Sequence, residues 1–269
     1  MQLPIDSLVG KCALVTGAAS GLGTAIGRLL AACGAKVGLF DRDEEALQRV
    51  WAEIEKDGGA VIRLPGDVTS ADDLAAAVES IKANWGCLDI VVANAGINGV
   101  WAPIDELTPE EWDQTLDVNL KGTFQTVRAS IPTLKAAGAG SVILISSLVG
   151  NRVFNMAGAS AYAASKAGIV AFGKASALEL AKDNIRVNVI CPGAFKTNIQ
   201  GRTICRNREN LTPRVTYPEG TVPLNTDERR NPEKVAQLVW FLASDMANYI
   251  TGTEVYIDGA NLSSWAEVK

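Results

Sequence analysis

Histidine is missing from all 269 residues of the chain. Its absence removes Ser-His-Asp triads, Cys-His pairs and the usual zinc constellations together, so proton chemistry has to use another group. Cysteine is sparse: Cys12, Cys33, Cys87, Cys191 and Cys205 are odd in number, widely spaced and free of any C-x-x-C pair, and they read as isolated buried thiols. An excess of basic residues is also lacking. With 25 Lys and Arg against 30 Asp and Glu the net charge is −5, which gives a nucleic-acid backbone or an anionic membrane no long-range reason to approach. No segment nears the roughly 18 apolar residues of a membrane span, and the first fifteen residues hold no basic stretch followed by a sustained apolar run. The expectation is therefore a soluble, cytoplasmic protein without metal, nucleic-acid or membrane partners.

What is present suits a packed core, since 48% of residues are hydrophobic and 20% charged. Short apolar runs at 12–15, 37–40, 60–64, 88–93, 142–145, 185–190 and 254–257 read as strands, and most intervening segments are long enough for a helix. This alternation predicts one α/β domain over residues 1–269: a doubly wound, Rossmann-like parallel sheet of about seven strands with helices on both faces. Ligands of such sheets bind beyond the carboxyl ends of the strands. Thr108-Pro109-Glu110-Glu111 is a complete capping box, and its helix should run past Asn119. Residues 196–231 carry prolines and arginines without a clear period, and read as a long excursion forming a mobile cover over a substrate.

The first strand is followed by Thr16-Gly17-Ala18-Ala19-Ser20-Gly21-Leu22-Gly23 and an apolar helix pattern. Glycines here permit a tight turn and let backbone N–H groups approach a pyrophosphate at the positive end of the helix. Three glycines at this spacing arise by chance in about one such chain in five, so position carries the argument. The second strand ends at Asp41, where a carboxylate either accepts the adenosine ribose hydroxyls and repels the extra phosphate of NADP, or simply opens the next helix. Arg42 is a possible receptor for that phosphate, whereas the loop's lack of Lys or Arg favours NAD. Asp67-Val68, after the third strand, is placed either to meet the adenine amino group or to begin a helix near Ser70. Asn94-Ala95-Gly96 after the fourth strand is a turn whose small residues let the chain pass close to the adenosine.

Tyr162 and Lys166 lie four apart near the start of a helical pattern reaching Leu180, which puts phenol and ammonium on one face. Ser146 and Ser147 close the fifth strand at the ligand edge of the sheet. Hydride transfer leaves an oxygen that must gain or lose a proton, and without histidine the phenol is the best remaining acid/base, although its ordinary pKa of about 10 is high for neutral pH. Lowering it three units requires about 4 kcal/mol, which one ammonium roughly 4 Å away supplies at an effective dielectric near 20. Ser147 would hold the substrate oxygen through its hydroxyl, with Ser146 as a fallback.

Over essentially its whole length the chain resembles a short-chain dehydrogenase/reductase. The resemblance rests on Thr16 to Gly23, Asp67, Asn94-Ala95-Gly96, Asn119 in Val118-Asn119-Leu120, Ser147, Tyr162 with Lys166, and Pro192-Gly193, all in family order. It implies an enzyme moving a hydride between NAD(H) and a secondary alcohol/ketone pair. It also implies a tetrad of Asn119, Ser147, Tyr162 and Lys166, with Lys166 on the nicotinamide ribose and Asn119 holding a water that relays protons. Pro192, Gly193, Phe195 and Thr197 would line the nicotinamide, Thr197 at the carboxamide, and the chains would form homotetramers. Without the resemblance, Asn119 reads only as a polar residue kinking a helix. Ser147 and Tyr162 stand fifteen apart, more than the family usually shows, so the intervening loop carries extra residues.

Two other readings stay open: reduction of a 3-oxoacyl thioester with NADP(H), and a catalytically silent dinucleotide-binding module. An NTP-binding protein is excluded because the glycine loop lacks a G-K-[ST] ending. The substrate is a small alcohol or ketone of unread identity. Its walls are expected from residues 97–101, 149–156 and the excursion, where Arg202, Arg206, Arg208 and Arg214 read either as a solvated mobile surface or as holders of an anionic group.

Overall fold

Alternating side chains on each central strand are apolar in both directions, and this sets the layers. In β1 (Cys12–Thr16) Ala13 and Val15 face one core while Cys12 and Leu14 face the other. In β6 (Gly140–Ile145) Ile143 and Ile145 face the first and Val142 and Leu144 the second. A strand buried on both faces must be covered twice, and each fully buried aliphatic side chain contributes about 1.5–3 kcal/mol. The computed structural model describes residues 7–152, 156–195, 197, 201, 203–207, 211 and 231–259.

The remaining strands are β2 (Lys36–Asp41), β3 (Val61–Pro65), β4 (Ile90–Ala93), β5 (Val100–Trp101), β7 (Ile185–Pro192), β8 (Ile204–Cys205) and β9 (Glu254–Ile257). The helices are α1 (Gly21–Ala32), α2 (Glu44–Lys56), α3 (Ala71–Trp85), α4 (Pro109–Leu116), α5 (Gly122–Ala137), α6 (Ser160–Leu180) and α7 (Glu233–Ala243). Seven strands form one parallel sheet in the order β3-β2-β1-β4-β6-β7-β9. Ile26 and Leu30 of α1, Leu47, Val50 and Ile54 of α2, and Val235, Val239 and Trp240 of α7 cover the first face. Leu74, Val78 and Ile81 of α3, Val127 and Leu134 of α5, and Ile169 and Val170 of α6 cover the second. Strand order reverses between β1 and β4, which opens a crevice at their carboxyl ends.

The capping box forms as expected: Thr108 Oγ1 accepts from Glu111 N, and Glu111 Oε2 accepts from Thr108 N. Helix α4 continues through a π turn at Asp117–Lys121 into α5. Among the described residues no helix is long and apolar enough to cross a membrane.

Two expectations about the cysteines need correction. Cys12 and Cys87 are not isolated thiols but form a disulfide, with Cα atoms 5.8 Å apart across 75 residues of sequence. Parallel strands that are neighbours in the sheet can be distant in the chain, and the spacing of cysteines does not reveal this. Cys33 and Cys191 are buried, whereas Cys205 is exposed. Most of the excursion expected over residues 196–231, including Arg202, Arg208 and Arg214, lies outside the described residues. Its described part contains β8, which pairs in parallel with β5, both strands being too short to show a period.

Arg206 neither faces solvent alone nor awaits an anion. Its guanidinium forks onto Glu111, Nη1 to Oε1 and Nη2 to Oε2 at 2.9 Å each, and also reaches the Glu106 carbonyl. Arg206 N donates to Trp101 O at 2.9 Å and Asn98 Nδ2 to Thr203 Oγ1 at 2.7 Å. The Arg206 bonds hold the Glu111 carboxyl below its usual range, so this anchor is complete at neutral pH and weakens as pH falls below that range. Replacing the guanidinium by Arg206→Ala should speed amide exchange at residues 204–206 several-fold at pH 7 with little change in Tm. Unchanged exchange would show that the fork does not anchor this segment.

Candidate functional site

The crevice floor is built where β1 and β4 end. Thr16 Oγ1 accepts from Asn94 N at 3.0 Å and Ala95 N at 3.2 Å, while Asn94 Nδ2 donates to the carbonyls of Thr16 at 2.9 Å and Gly17 at 3.3 Å. Gly17 has φ +66°, and a Cβ there would stand 2.8 Å from Ala95 Cα. A Cβ on Gly23 would run into the Gly17 carbonyl oxygen, so these glycines are required by close backbone approach. Asn94 is thus a clasp whose amide nitrogen is committed to the loop, rather than only a small residue passing a ligand. Thr16, which sequence reasoning quoted without a role, is the other half.

Helices α2, α3 and α4 are capped by the side chains of Asp43, Ser70 and Thr108, but Ser20 gives α1 no such bond, and no acidic residue occupies its first turn. That leaves its first amides available to an anion at the crevice. Thr197 stands over this loop, with its Cβ 3.2 Å from where a Gly21 Cβ would lie, and Leu22 packs on the first core. Asp41 ends β2 with Oδ2 accepting from Ala19 N at 2.9 Å and Oδ1 from Asp43 N at 3.0 Å. Its neighbour Arg42 is largely exposed, 3.8 Å from Asp67 Oδ2. The other Asp67 oxygen accepts from Thr69 N and Thr69 Oγ1 at 2.8 Å each, so Asp67 closes a turn and Ser70 caps α3. Val68 is buried beside Gly122.

On the opposite bank, the π turn carries Asn119 fully buried. Its Oδ1 accepts from Ile97 N at 2.8 Å, and its Nδ2 donates to Ile97 O at 2.9 Å and Ser165 Oγ at 3.0 Å. Ser165 Oγ in turn donates to the Tyr162 carbonyl at 2.8 Å. Gly96 is fitted between groups, since a Cβ there would lie 3.1 Å from Asn119 Oδ1 and 3.3 Å from Lys166 Nζ. Lys166 is buried, donates to Ile145 O at 3.1 Å and lies 5.7 Å from the Tyr162 ring centroid. Burial pulls its pKa down to about 8, opposed weakly by the Cys191 thiol.

The Tyr162 phenol has Ser147 as its hydrogen-bonding neighbour, and its ring packs with Leu148, Val149 and, 6.5 Å centroid to centroid, Trp101. Burial raises its pKa and the Ser147 hydroxyl only opposes this. The expected lowering by one ammonium therefore fails in the protein alone, because desolvation outweighs a cation that is itself buried and bonded elsewhere. Ser146 is no substitute for Ser147, since its hydroxyl donates to the Lys166 carbonyl at 2.7 Å. Asn151, not foreseen, donates to Ser147 O at 2.9 Å and Ser146 Oγ at 3.3 Å and so fixes the serine pair. Ser165 was likewise missed, although its place between Tyr162 and Lys166 on one helix was visible.

Pro192 O accepts from Leu148 N at 3.0 Å, Gly193 N donates to Ile257 O at 2.9 Å, and Phe195 packs on the first core. Arg152, expected in the substrate wall, stacks on the Tyr256 ring at 3.7 Å with Asp258 3.9 Å away, and Met156 is exposed. Phe154 and Asn155 lie outside the described residues.

A buried lysine titrating near pH 8 against an ordinary value of 10.5 penalises the folded state while it is charged. Its penalty is complete below about pH 8 and relieved as pH rises toward 10.5. The Tyr162 shift costs stability only above the unfolded phenol's range near pH 10. Between pH 8 and 9.5, wild-type Tm should therefore rise relative to a Lys166→Met variant in the absence of cofactor. Parallel curves would place the titration elsewhere.

The family model described as "Enoyl-(Acyl carrier protein) reductase" matches residues 17–260. A cyclohexanol dehydrogenase of Acinetobacter sp. (strain SE19) is 35% identical, covering 94% of this chain and 95% of its own. A crystal structure of a 3-ketoacyl-ACP reductase from Sinorhizobium meliloti 1021 superposes with TM-score 0.86 at 44% identity, over 93% of this chain and 98% of its own. A 3-ketoacyl-(acyl-carrier-protein) reductase from Brucella melitensis, complexed with NADH, gives TM-score 0.84 at 32% identity, over 95% and 100%. Sequence match, sheet order and crevice agree: the chain belongs to the short-chain dehydrogenase/reductase family, oxidoreductases that use a nicotinamide dinucleotide.

Proposed function

We propose that this enzyme moves a hydride between NAD(H) and a secondary alcohol/ketone pair, with Tyr162 as the acid/base. The observation that carries the reading is the Tyr162 phenol beside the Ser147 hydroxyl at the crevice, with Lys166 and the Asn119 clamp behind them. When bound, the nicotinamide supplies or accepts the hydride. Ser147 donates a hydrogen bond to the substrate oxygen, and Tyr162 gives a proton to it in reduction or takes one in oxidation. Lys166 binds the adjoining ribose and supports the phenol's charge. Asn119 is a positioning residue, because both ends of its amide are already bonded inside the protein. Gly17, Ser20, Gly21, Leu22 and Gly23 receive the pyrophosphate, Asp67 and Val68 the adenine, Ala95 and Gly96 the adenosine side, and Pro192, Gly193, Phe195 and Thr197 the nicotinamide. The related cyclohexanol dehydrogenase supports an alcohol of that class, and Trp101 beside Tyr162 gives the pocket an apolar wall. Assembly into tetramers would cover Phe124 and Leu178, which are 46% and 84% exposed.

Asp41 supports NAD: its carboxylate is fixed at the glycine loop by Ala19 N, where a ribose 2′-phosphate would meet an anion. Arg42, exposed beside it, favours the second reading in its NADP(H) part, and the two similar 3-ketoacyl reductases support its other part, reduction of a 3-oxoacyl thioester, the Brucella melitensis enzyme being complexed with NADH. Titrating NADH and NADPH by fluorescence separates the cofactors. NADH should bind at least tenfold more tightly, and Asp41→Ser should narrow the gap; equal affinities in the wild type would sink the NAD assignment.

With cyclohexanol and related alcohols tested against 3-oxoacyl thioesters, Tyr162→Phe should retain NADH binding and lose about 10²- to 10⁴-fold in turnover of whichever substrate the wild type accepts. Near-normal turnover by that variant would remove the phenol from the mechanism.

A further inference from the structure

The disulfide joins two sulfurs of unequal access at the edge of the sheet opposite the crevice. Cys12 begins β1, is fully buried and belongs to the second core, whereas Cys87 is half-buried in the loop that follows Gly86 at the end of α3. The backbone around them is held without the bond: Asp89 N donates to Cys12 O at 2.9 Å, and Cys12 N donates to Asp89 Oδ2 at 2.8 Å. Two cysteines with Cα atoms 5.8 Å apart are in bridging range whether or not the bond is made. The site therefore has a fixed scaffold, one reachable sulfur and one shielded sulfur. Attack from solvent is directed to Cys87 and resolution to Cys12.

We propose that Cys12 and Cys87 form a thiol–disulfide exchange site, oxidised by a small disulfide of the glutathione class and reduced by the corresponding thiol, and that it sets the stability of the dinucleotide half of the fold. In oxidation the Cys87 thiolate attacks one sulfur of the small disulfide, forming a mixed disulfide and releasing one thiolate. The Cys12 thiolate then attacks the Cys87 sulfur and releases the second. Two protein thiols are oxidised, one small disulfide is reduced to two thiols, and the two protons pass to the released thiolates. The bond closes a loop of 75 residues that contains the glycine loop, β2, β3 and α3. It also ties the amino ends of the two strands whose carboxyl ends meet at Thr16 and Asn94.

The test incubates the purified full-length enzyme with oxidised or reduced glutathione, blocks thiols with iodoacetamide and maps peptides by mass spectrometry, with Tm measured on each form and on Cys87→Ser. The expected result is a Cys12–Cys87 crosslinked peptide after oxidation, its conversion to two alkylated peptides after reduction of the native protein, and a fall in Tm of roughly 5–10 °C on reduction that Cys87→Ser does not show. Alkylation of both cysteines after oxidation overturns the proposal. So does a crosslink that native-state reduction cannot open, or one whose opening leaves Tm unchanged. Because the ligand atoms of Cys12, Cys87 and Asp89 lie within 4.8 Å of one another, zinc is also titrated into the reduced form. One zinc bound per chain, lost in Cys87→Ser, would assign the pair to a metal instead and overturn exchange.

Discussion

The floor of the crevice depends on one amide. By donating to the carbonyls of Thr16 and Gly17, Asn94 holds the ends of β1 and β4 at the separation that the crossing of the chain there requires. With an apolar side chain in its place these carbonyls would lose those bonds, at a cost of about 1–3 kcal/mol for each buried group left unpaired. The tightness of the glycine loop follows from this clasp. Gly17 lies against Ala95, and Gly23 against the Gly17 carbonyl and the Asn94 amide itself, because the strand ends are drawn together. The two banks of the crevice are then linked by short chain: Gly96 and Ile97 lead from the clasp to the Asn119 amide.

Around Lys166 and Tyr162 the governing constraint is desolvation. Lys166 and Tyr162 both move toward their neutral forms in the protein alone, the lysine down to about 8 and the phenol above its ordinary range. A group held neutral by burial responds strongly to any charge brought near it, because the surrounding medium screens little. The site is therefore not poised by its own residues in isolation. It is a place where a small electrostatic change has a large effect on proton affinity, which is what a positioned acid/base needs.

The central strands of the main sheet were legible as buried apolar runs and the outer β3 and β9 as shorter, half-buried ones, and the order of motifs along the chain located the crevice. The boundaries of β9 and the capping box at Thr108 were readable to the residue, since both are local patterns. What escaped was non-local or very short. Strands β5 and β8 have two residues each and exist only because Asn98, Thr203, Glu111 and Arg206 bring them together. The partners of Cys12 and Arg206 lie 75 and 95 residues away. The two serines illustrate the limit at the site itself. The sequence favours Ser147 and keeps Ser146 as a fallback, and it is the backbone that turns the former to the phenol and the latter to the Lys166 carbonyl.

The π turn at Asp117–Lys121 has a consequence for how the gene can change. Within it the backbone accommodates one residue more than a regular α ladder would, and Asn119 is presented inward by that surplus. Removing a single residue from 117–121 would restore an unbroken helix from Pro109 to Ala137 and, because the π turn already absorbs the surplus, leave α4 and α5 close to their present phase. A one-codon deletion that looks benign by helix propensity would take away the inward presentation of Asn119, and with it the bonds to Ile97, while leaving the fold free to form.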